Sequence, residues 1–253
     1  MLTKEQYSDY CKRFKKAWGF LQKHSCKKET VIKAICEFRE YDISRMFGIL
    51  DTAGFIFINE GTCDYEKLKS LGDDLGLFTE KGRFLLENRF IFPVYDMVGN
   101  VIALIGWFPD EKKYITTPSK FFSKDCLFFG LEQLSTTGLN KNYIIVEGIF
   151  DSLSIRSLGI PCIAMMGISS SRYKILMYSL FKQLVAIPDA DSEGRKVLLE
   201  DKWKLPTRSR YVKWSGIDLK DIDDLVKRYE SADLKEIFES IFLEQDRIVT
   251  IEL

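Results

Sequence analysis

The hydrophobic residues in the first half of the chain follow two different spacings. Steps of three and four residues, the period of an amphipathic helix, recur in four stretches. These predicted helices cover 3–22, 29–38, 42–50 and 64–71. The β-prone apolar runs cover 54–58, 89–96, 101–107 and 113–118. The second and third of these runs flank the turn Gly99-Asn100, which indicates a hairpin. Up to about residue 135 the pattern therefore predicts a mixed α+β unit.

From Asn142 onward the pattern changes to an alternation of strands and helices. Residues 143–146 form a continuous apolar run, which is typical of a strand buried on both faces. The further predicted strands are 161–165, 184–187 and 210–213. The predicted helices of this half are 151–158, 171–182, 193–203, 221–228 and 232–243. Such alternation predicts βαβ units and a parallel sheet covered by helices on both faces.

The charge balance excludes one class of protein and leaves another open. The 253 residues include 37 Lys or Arg and 37 Asp or Glu, so the chain is not a globally basic nucleic-acid binder. Residues 1–40 nevertheless carry ten basic and five acidic side chains. This basic segment could lie against a phosphate backbone, or it could be an ordinary solvated helix face.

Targeting and redox signals point to the cytoplasm. No apolar run approaches the roughly 18 residues of a membrane helix, and the polar N-terminus does not resemble a signal peptide. Six scattered cysteines without a CxxC fit a reducing compartment. The single histidine, His24, lies near Cys11, Cys26 and Cys36, but the spacing does not suit a zinc ribbon, so no zinc is expected.

Acidic side chains follow three of the predicted strands in the second half. Glu147 and, four residues past it, Asp151 follow the first of them, and Asp189 and Asp191 follow the third. The acids after the fourth are Asp218, Asp221, Asp223 and Asp224. Because the carboxyl ends of parallel strands lie along one edge of the sheet, we expect these groups to converge.

Two explanations account for acids at such an edge. Adjacent like charges are costly, and a divalent cation with oxygen ligands relieves them. For a single acid, a role as a helix N-cap or first-turn charge is the more common explanation. Three clusters at three strand ends favour the metal, and Gly148 and Gly194 allow tight turns beside it.

Two segments of the second half resemble the motifs of a known domain. Residues 146–151, VEGIFD, resemble the VEGxxD opening of a Toprim domain, and residues 189–194, DADSEG, resemble its DxDxxG motif. The Toprim set contains primases, type IA and type II topoisomerases and some nucleases. The resemblance implies metal-dependent chemistry at a phosphodiester.

The upstream segments resemble the RNA-polymerase core of bacterial DnaG-type primases. The matching pieces are 89–94, 99–102, 113–118, 122–124 and 127–131, with two later turns at 167–170 and 220–225. Their order and spacing hold over residues 40–228. This chain departs from the pattern at Trp107, where the primases have Arg, at Thr116, where they have Asn, and at Ile222, where they have Pro. We expect a phosphate contact to be missing at Trp107, so that Trp107→Arg would raise synthesis.

The resemblance implies an α/β protein in four parts. A Toprim parallel sheet flanked by helices is preceded by a mixed α+β primase N-terminal subdomain. The expected parts are a basic helical segment (1–40), the primase core N-terminal subdomain (41–138), the Toprim domain (139–229) and a C-terminal helical segment (230–253). Since neither a zinc-ribbon domain nor a helicase-binding bundle is recognisable, either a phage or mobile-element version or an excised core is expected.

The implied function is that of a DNA primase catalytic core, a nucleotidyltransferase that makes short RNA primers from NTPs on single-stranded DNA. The expected catalytic residues are Glu147, Asp189 and Asp191, with Glu147 either a metal ligand or a general base. Two or more Mg²⁺ or Mn²⁺ ions are expected on Glu147, Asp189, Asp191, Asp221 and Asp223. The residues expected to bind nucleotide or template are Arg89, Lys113 and Lys124. A replicative helicase or a separate zinc-ribbon protein is a further expected partner.

Two other functions remain open at this point. A Toprim-type nuclease would use the same acids for hydrolysis, although the upstream polymerase-like block argues against it. A non-catalytic nucleic-acid-binding or inhibitory protein derived from a primase would explain the departures at Trp107 and Thr116. The retention of all the acidic clusters argues against that alternative.

Overall fold

The computed structural model describes residues 3–109, 113–118, 123–166, 171–215 and 221–252. The chain divides into two compact units, Met1–Lys124 (unit 1) and Asp125–Leu253 (unit 2). This division falls before the expected boundary at 138, and the four-part organisation stays a prediction. Within the described ranges, no helix is both long enough and apolar enough to span a bilayer.

The helices of unit 1 begin and end where local chemistry dictates. They are α1 (Lys4–Lys23), α2 (Lys28–Arg39), α3 (Ile43–Ala53) and α4 (Tyr65–Ser70). At the start of α1, Thr3 and Gln6 form a reciprocal capping box. At the end of α3, Gly54 adopts a left-handed conformation with φ of 77°, which glycine tolerates at no steric cost. The hydroxyl of buried Tyr10 donates to the carbonyl of Ile102 at 2.8 Å and joins α1 to the sheet.

The sheet of unit 1 is antiparallel and has the strand order β1-β2-β3-β4. Its strands are β1 (Ile56–Phe57), β2 (Phe90–Tyr95), β3 (Val101–Phe108) and β4 (Lys113–Thr116). The predicted hairpin is confirmed, with Phe92 opposite Ile105 and an irregularity between Val94 and Tyr95. A mixed α+β unit is therefore confirmed here.

The sheet of unit 2 is parallel throughout and has the order β6-β5-β7-β8-β9. Its strands are β5 (Asn142–Val146), β6 (Cys162–Ala164), β7 (Gln183–Ile187), β8 (Arg210–Ser215) and β9 (Ile248–Glu252). Its helices are α5 (Leu134–Thr137), α6 (Ile149–Ser157), α7 (Arg172–Tyr178), α8 (Ser192–Glu200), α9 (Ile222–Arg228) and α10 (Ser231–Ile241). The predicted α/β fold with a parallel sheet flanked by helices is confirmed.

The fifth strand, β9, was not predicted from the sequence. It pairs only with β8 at the edge of the sheet, and its first residue, Ile248, is 51% exposed. Because an edge strand buries few side chains, its sequence lacks the continuous apolar run that identified β5. The C-terminal part of the chain, expected to be helical, thus contains α10 followed by a strand.

Candidate active site

The ends of β5 and β7 lie at the same level of the unit 2 sheet. The two strands are neighbours, and Val146 pairs with Ile187 as the last residue of each. Glu147 and, one residue further along, Asp189 therefore leave the sheet at the same edge, and both side chains are half-buried. The backbone of Glu147 also accepts a hydrogen bond from Met166 N at 3.0 Å, which joins it to the end of β6. This supports the expected convergence of the first and third strand ends.

The turn between β7 and α8 is held by Gly194 and Asp191. The amide of Gly194 donates to Asp191 Oδ1 at 2.9 Å, so Asp191 caps the amino end of α8. A Cβ added to Gly194 would lie 1.9 Å from the carbonyl oxygen of Asp189 and 2.8 Å from its carbonyl carbon. Only glycine fits there, because both close atoms belong to the backbone. The expected role of Gly194 as a turn residue follows from this contact.

Asp151, in the first turn of α6, has an unfavourable electrostatic position. Its side chain is 8% exposed, and burial raises its pKa well above the ordinary aspartate value. Three neighbouring carboxylates raise this pKa further, and in decreasing order of effect they are Asp221, Asp189 and Asp223. We call these four residues the acidic cluster. Residues from α6, from the end of β7 and from the start of α9 thus meet in one electrostatic environment.

Gly148 lets the backbone approach Asp151 closely. A Cβ at Gly148 would lie 2.3 Å from Asp151 Oδ2. This neighbour is the end of a side chain, so a larger residue at 148 would displace the carboxylate rather than the backbone. Gly148 therefore leaves the space that the carboxylate of Asp151 occupies in the acidic cluster.

The two acids of α9 have different surroundings. Asp221 is the N-cap of the helix and accepts from Asp224 N at 3.0 Å. Asp223 is 1% exposed; it accepts from Ser154 Oγ at 2.6 Å and lies 2.8 Å from Lys227 Nζ. The helix-capping explanation thus holds for Asp221, as it does for Asp191. A cap occupies one carboxylate oxygen, so it does not by itself exclude a second role for either residue.

Asp223 also forms the link between α9 and α6. Its backbone N–H donates to Asp151 Oδ1 at 3.1 Å, while its carboxylate accepts from the hydroxyl of Ser154. These two bonds fix the register of the helices and place Asp151 against the acids of α9. Asp223 is consequently a packing residue of unit 2 as well as an expected metal ligand.

The sequence analysis quoted Asp151 within a motif but did not include it among the site residues. Its spacing of four residues from Glu147 placed it among the acids after the first strand, about one helical turn beyond the strand end, but did not show that it is buried. Asp189, Asp221 and Asp223 are the expected ligands that the structure brings together around it.

The expected cationic residues belong to unit 1. Arg89 is half-buried, and its guanidinium carbon lies 5.4 Å from the centroid of the Phe108 ring. The backbone of Lys113 begins β4, and that of Lys124 begins a short 3-10 turn. Their side chains lie outside the described part of the structure, as do residues 167–170 and Lys220 of the resembling turns. The roles of all three cations stay predictions.

Trp107 is buried in a cluster of aromatic rings that would not accommodate the charge of an arginine. It is 3% exposed and packs against Phe90 and Phe38, with ring centroids 5.5 and 6.4 Å away. An arginine there would place a charge inside this aromatic cluster, where no compensating carboxylate is described. The burial of Trp107 argues against the expectation that Trp107→Arg raises synthesis, and that expectation stays untested.

The donor chemistry of the acidic edge suits a divalent cation with oxygen ligands. In the parts of unit 2 that are described, no three carboxylate, thiol or imidazole side chains form a ready-made cage. Mg²⁺ does not require one, because it is usually held by one or two carboxylates together with water and substrate phosphates. The carboxylates gathered around buried Asp151 are the observation that favours such a cation. The candidate holders are Glu147, Asp189 and Asp191, with Asp221 and Asp223 nearby in the fold.

Comparison with known proteins agrees with this arrangement. Residues 144–226 match a family model described as Toprim-like. A DNA primase of Clostridium acetobutylicum is 30% identical over 164 residues, which are 61% of this chain and 28% of the relative. A DNA primase of Thermotoga maritima is 27% identical over 213 residues, 77% of this chain and 36% of the relative. The chain thus spans about a third of the length of these curated relatives.

Solved structures share the fold over nearly the whole chain. A DnaG primase catalytic domain bound to single-stranded DNA has a TM-score of 0.76 at 18% identity, covering 94% of this chain and 80% of that one. The RNA polymerase domain of Mycobacterium tuberculosis primase DnaG has a TM-score of 0.71 at 20% identity, with coverage of 90% and 82%. At such identities the likeness establishes the fold.

Proposed function

We propose that this chain is a DnaG-type primase core that synthesises short RNA primers on single-stranded DNA. Its fold, its Toprim-like segment and its DNA primase relatives support this proposal. The observation that carries the proposal is the acidic cluster, in which Asp151, Asp189, Asp221 and Asp223 meet at the carboxyl edge of the unit 2 sheet. Like charges gathered beside one buried carboxyl stay together at a cost unless a cation joins them. Primer synthesis requires such a cation beside the reacting phosphate.

The residues of the chain would divide the work as follows. Glu147, Asp189 and Asp191 would hold Mg²⁺ or Mn²⁺, which lowers the pKa of the attacking hydroxyl and neutralises charge on the leaving pyrophosphate. Gly194 keeps the start of α8 against the backbone of Asp189, so that Asp189 and Asp191 are presented from one rigid turn. Asp151 lies beside them, and a bound cation would favour its ionised form. The backbone N–H of Asp223 donates to Asp151 Oδ1 and fixes the position of that carboxyl group.

Binding of template and nucleotide is assigned to unit 1 in this proposal. Arg89, Lys113 and Lys124 would contact phosphates, and the basic segment 1–40 would add affinity that weakens as salt rises. A cytoplasmic location, and a helicase or zinc-ribbon protein as partner, belong to the same proposal. The DnaG domain bound to single-stranded DNA supports the template assignment, because it has the same fold.

One assay tests the activity. The chain is incubated with single-stranded DNA, labelled NTPs and either Mg²⁺ or Mn²⁺, and the products are separated by size. We expect short RNA products, and Asp189→Asn should reduce them by about a hundredfold or more, as loss of a group that stabilises transition-state charge does. Asp246→Asn, which changes an exposed aspartate of the same unit, is the matched control and should leave synthesis unchanged.

The same assay separates the alternatives. DNA fragments that appear without NTPs would identify a nuclease. DNA binding with neither product, in both metals, would identify a non-catalytic relative. Either result would overturn the proposed synthesis, as would full activity in Asp189→Asn.

A further inference from the structure

Unit 1 contains a cavity that the proposed synthesis does not use. It has a volume of ≈ 350 Å³ and lies between α2 and the sheet. Aromatic rings supply much of its wall, namely those of Phe38, Phe57, Phe90 and Phe108. Pockets for small organic ligands usually measure about 300–1,000 Å³, so this one accommodates a single ring system rather than a folded segment. Flat aromatic walls at this size favour a planar heterocycle.

Polar groups at the cavity could recognise the edge of such a ring. Asn59 and Asn88 line it together with the half-buried thiol of Cys26. In the described structure, Asn59 Nδ2 donates to Cys26 Sγ at 3.3 Å, and Asn88 Oδ1 accepts from Glu60 N at 3.1 Å. An asparagine side chain has two donor hydrogens and two acceptor lone pairs, so each keeps capacity for a ligand. An aliphatic ligand would leave that capacity unused.

A positive charge lies next to the same wall. The guanidinium of Arg89 is placed over the ring of Phe108, which lines the cavity. The aliphatic part of Arg89 packs over Gly106, where an added Cβ would lie 2.8 Å from Arg89 Cδ. Within the described part of the chain, Arg89 Nη1 has no hydrogen-bond partner. A planar ring in the cavity with an attached phosphate near Arg89 would complement both features.

We propose that this cavity takes one unstacked base of the single-stranded DNA bound by the chain. A base attached to a phosphate combines the planar ring, the hydrogen-bonding edge and the negative charge that the three observations require. Stacking on aromatic side chains tolerates any base, which suits a protein that must follow many template sequences. This inference rests on the template binding of the proposed function and adds to it a site for one base.

The thiol of Cys26 provides a direct readout of occupancy. Among the described cysteines only Cys26 and Cys126 are half-buried rather than buried, and Cys126 belongs to unit 2. The chain is treated with iodoacetamide, with and without a thymidine oligonucleotide, and alkylation of each cysteine is followed by mass spectrometry. With the oligonucleotide at about ten times its Kd, Cys26 should react about tenfold more slowly while Cys126 is unchanged.

An abasic oligonucleotide of the same length identifies the group that protects Cys26. It keeps the phosphates and lacks the bases, and it is added at the concentration that gives equal occupancy by fluorescence anisotropy. Cys26 should then react at the rate of the unliganded chain. Equal protection by both oligonucleotides would mean that the backbone covers the cavity, and the base site would be wrong.

The outcome also distinguishes failure of this inference from failure of the proposed function. Asp189→Asn, expected to lose synthesis, should still protect Cys26. Binding of the oligonucleotide with unchanged Cys26 reactivity would refute the base site and leave the proposed synthesis intact. Absence of any oligonucleotide binding would overturn both.

A pair of phenylalanine variants tests the cavity without the thiol. Phe38 is 55% exposed at the cavity, so Phe38→Ala should leave the fold intact and weaken thymidine oligonucleotide binding about fivefold or more. Phe47, 37% exposed on α3 and not part of the cavity wall, is the matched control, and Phe47→Ala should bind normally. Equal binding by the two variants would contradict the proposal.

Discussion

Two aspartates, one in each unit, are buried to the same extent and are stabilised very differently. Asp96 in unit 1 and Asp151 in unit 2 are both 8% exposed. The carboxylate of Asp96 accepts from Val98 N, Asn100 N, Asn100 Nδ2 and the hydroxyl of Tyr7. In the described structure Asp151 accepts one hydrogen bond, from Asp223 N, and faces three other carboxylates.

This difference separates a carboxylate that serves the fold from one that serves a site. Asp96 closes the β2–β3 turn, and its partners repay the loss of water around its charge. Burial, together with the hydrogen bond to Asp96, raises the pKa of Tyr7, so its hydroxyl remains a donor at neutral pH. Asp151 has no such compensation, which is the pattern found where a cation or substrate completes a site.

The largest effect on stability is expected at the turn between β7 and α8, which carries Asp189 and Asp191. Gly194→Ala brings a methyl group into the backbone of Asp189, so we expect the free energy of unfolding to fall by about 4 kcal/mol or more. Gly19→Ala in α1 is the control, because nothing lies within 4 Å of its Cβ position. It should raise stability by about 0.5–1 kcal/mol through helix propensity. Urea denaturation measures both, and equal stabilities would contradict the close contact at Gly194.

Replacing Trp107 in the aromatic cluster of unit 1 by the arginine of the resembling primases should destabilise the fold. Trp107→Arg buries a charge and removes a ring beside Phe90, so we expect a loss of about 3–5 kcal/mol in the free energy of unfolding and no gain in synthesis. Trp107→Phe keeps the site apolar and should cost less. Chemical denaturation together with the primer assay checks this. A stable and more active Trp107→Arg protein would show that the cluster opens to solvent.

Neutralising the compensated aspartate should destabilise unit 1. Asp96→Asn replaces one acceptor oxygen by an NH₂ group that cannot accept the bonds of the turn, and we expect a loss of about 1–3 kcal/mol. The thermal unfolding midpoint measures the change. Asp246→Asn, at an exposed aspartate, is the reference and should not shift the midpoint. An unchanged midpoint in Asp96→Asn would remove the distinction between the two buried aspartates.

Neutralising Asp151, which lacks comparable hydrogen-bond partners, should stabilise the fold rather than destabilise it. Since the pKa of Asp151 is raised in the folded state, its stabilising contribution is complete below the unfolded pKa of about 3.9 and is lost as the pH rises through the folded pKa. Asp151→Asn should therefore raise stability at neutral pH by about 1 kcal/mol or more without divalent cations. The gain should shrink as the pH is lowered toward about 4. Destabilisation at neutral pH would be the contrary result.

Much of the fold was predictable because its signals are local. The continuous apolar run 143–146 became β5, and the Gly99-Asn100 turn became the connection of β2 and β3. Both features depend on a few neighbouring residues, whose burial or turn conformation is dictated by side-chain type. The edge strand β9 was missed because its pairing with β8 depends on residues more than thirty positions away.

The sequence by itself determined which groups are available at the acidic edge, whereas the tertiary structure decided their surroundings. Spacing after predicted strands was enough to select Glu147, Asp189 and Asp191, because parallel strands end along one edge. It could not show that α9 packs on α6 and brings Asp221 and Asp223 to Asp151. Nor could it show that Trp107 is enclosed by Phe38 and Phe90, which come from distant parts of the chain. Burial and electrostatic environment arise from contacts remote in sequence, so only the folded chain defines them.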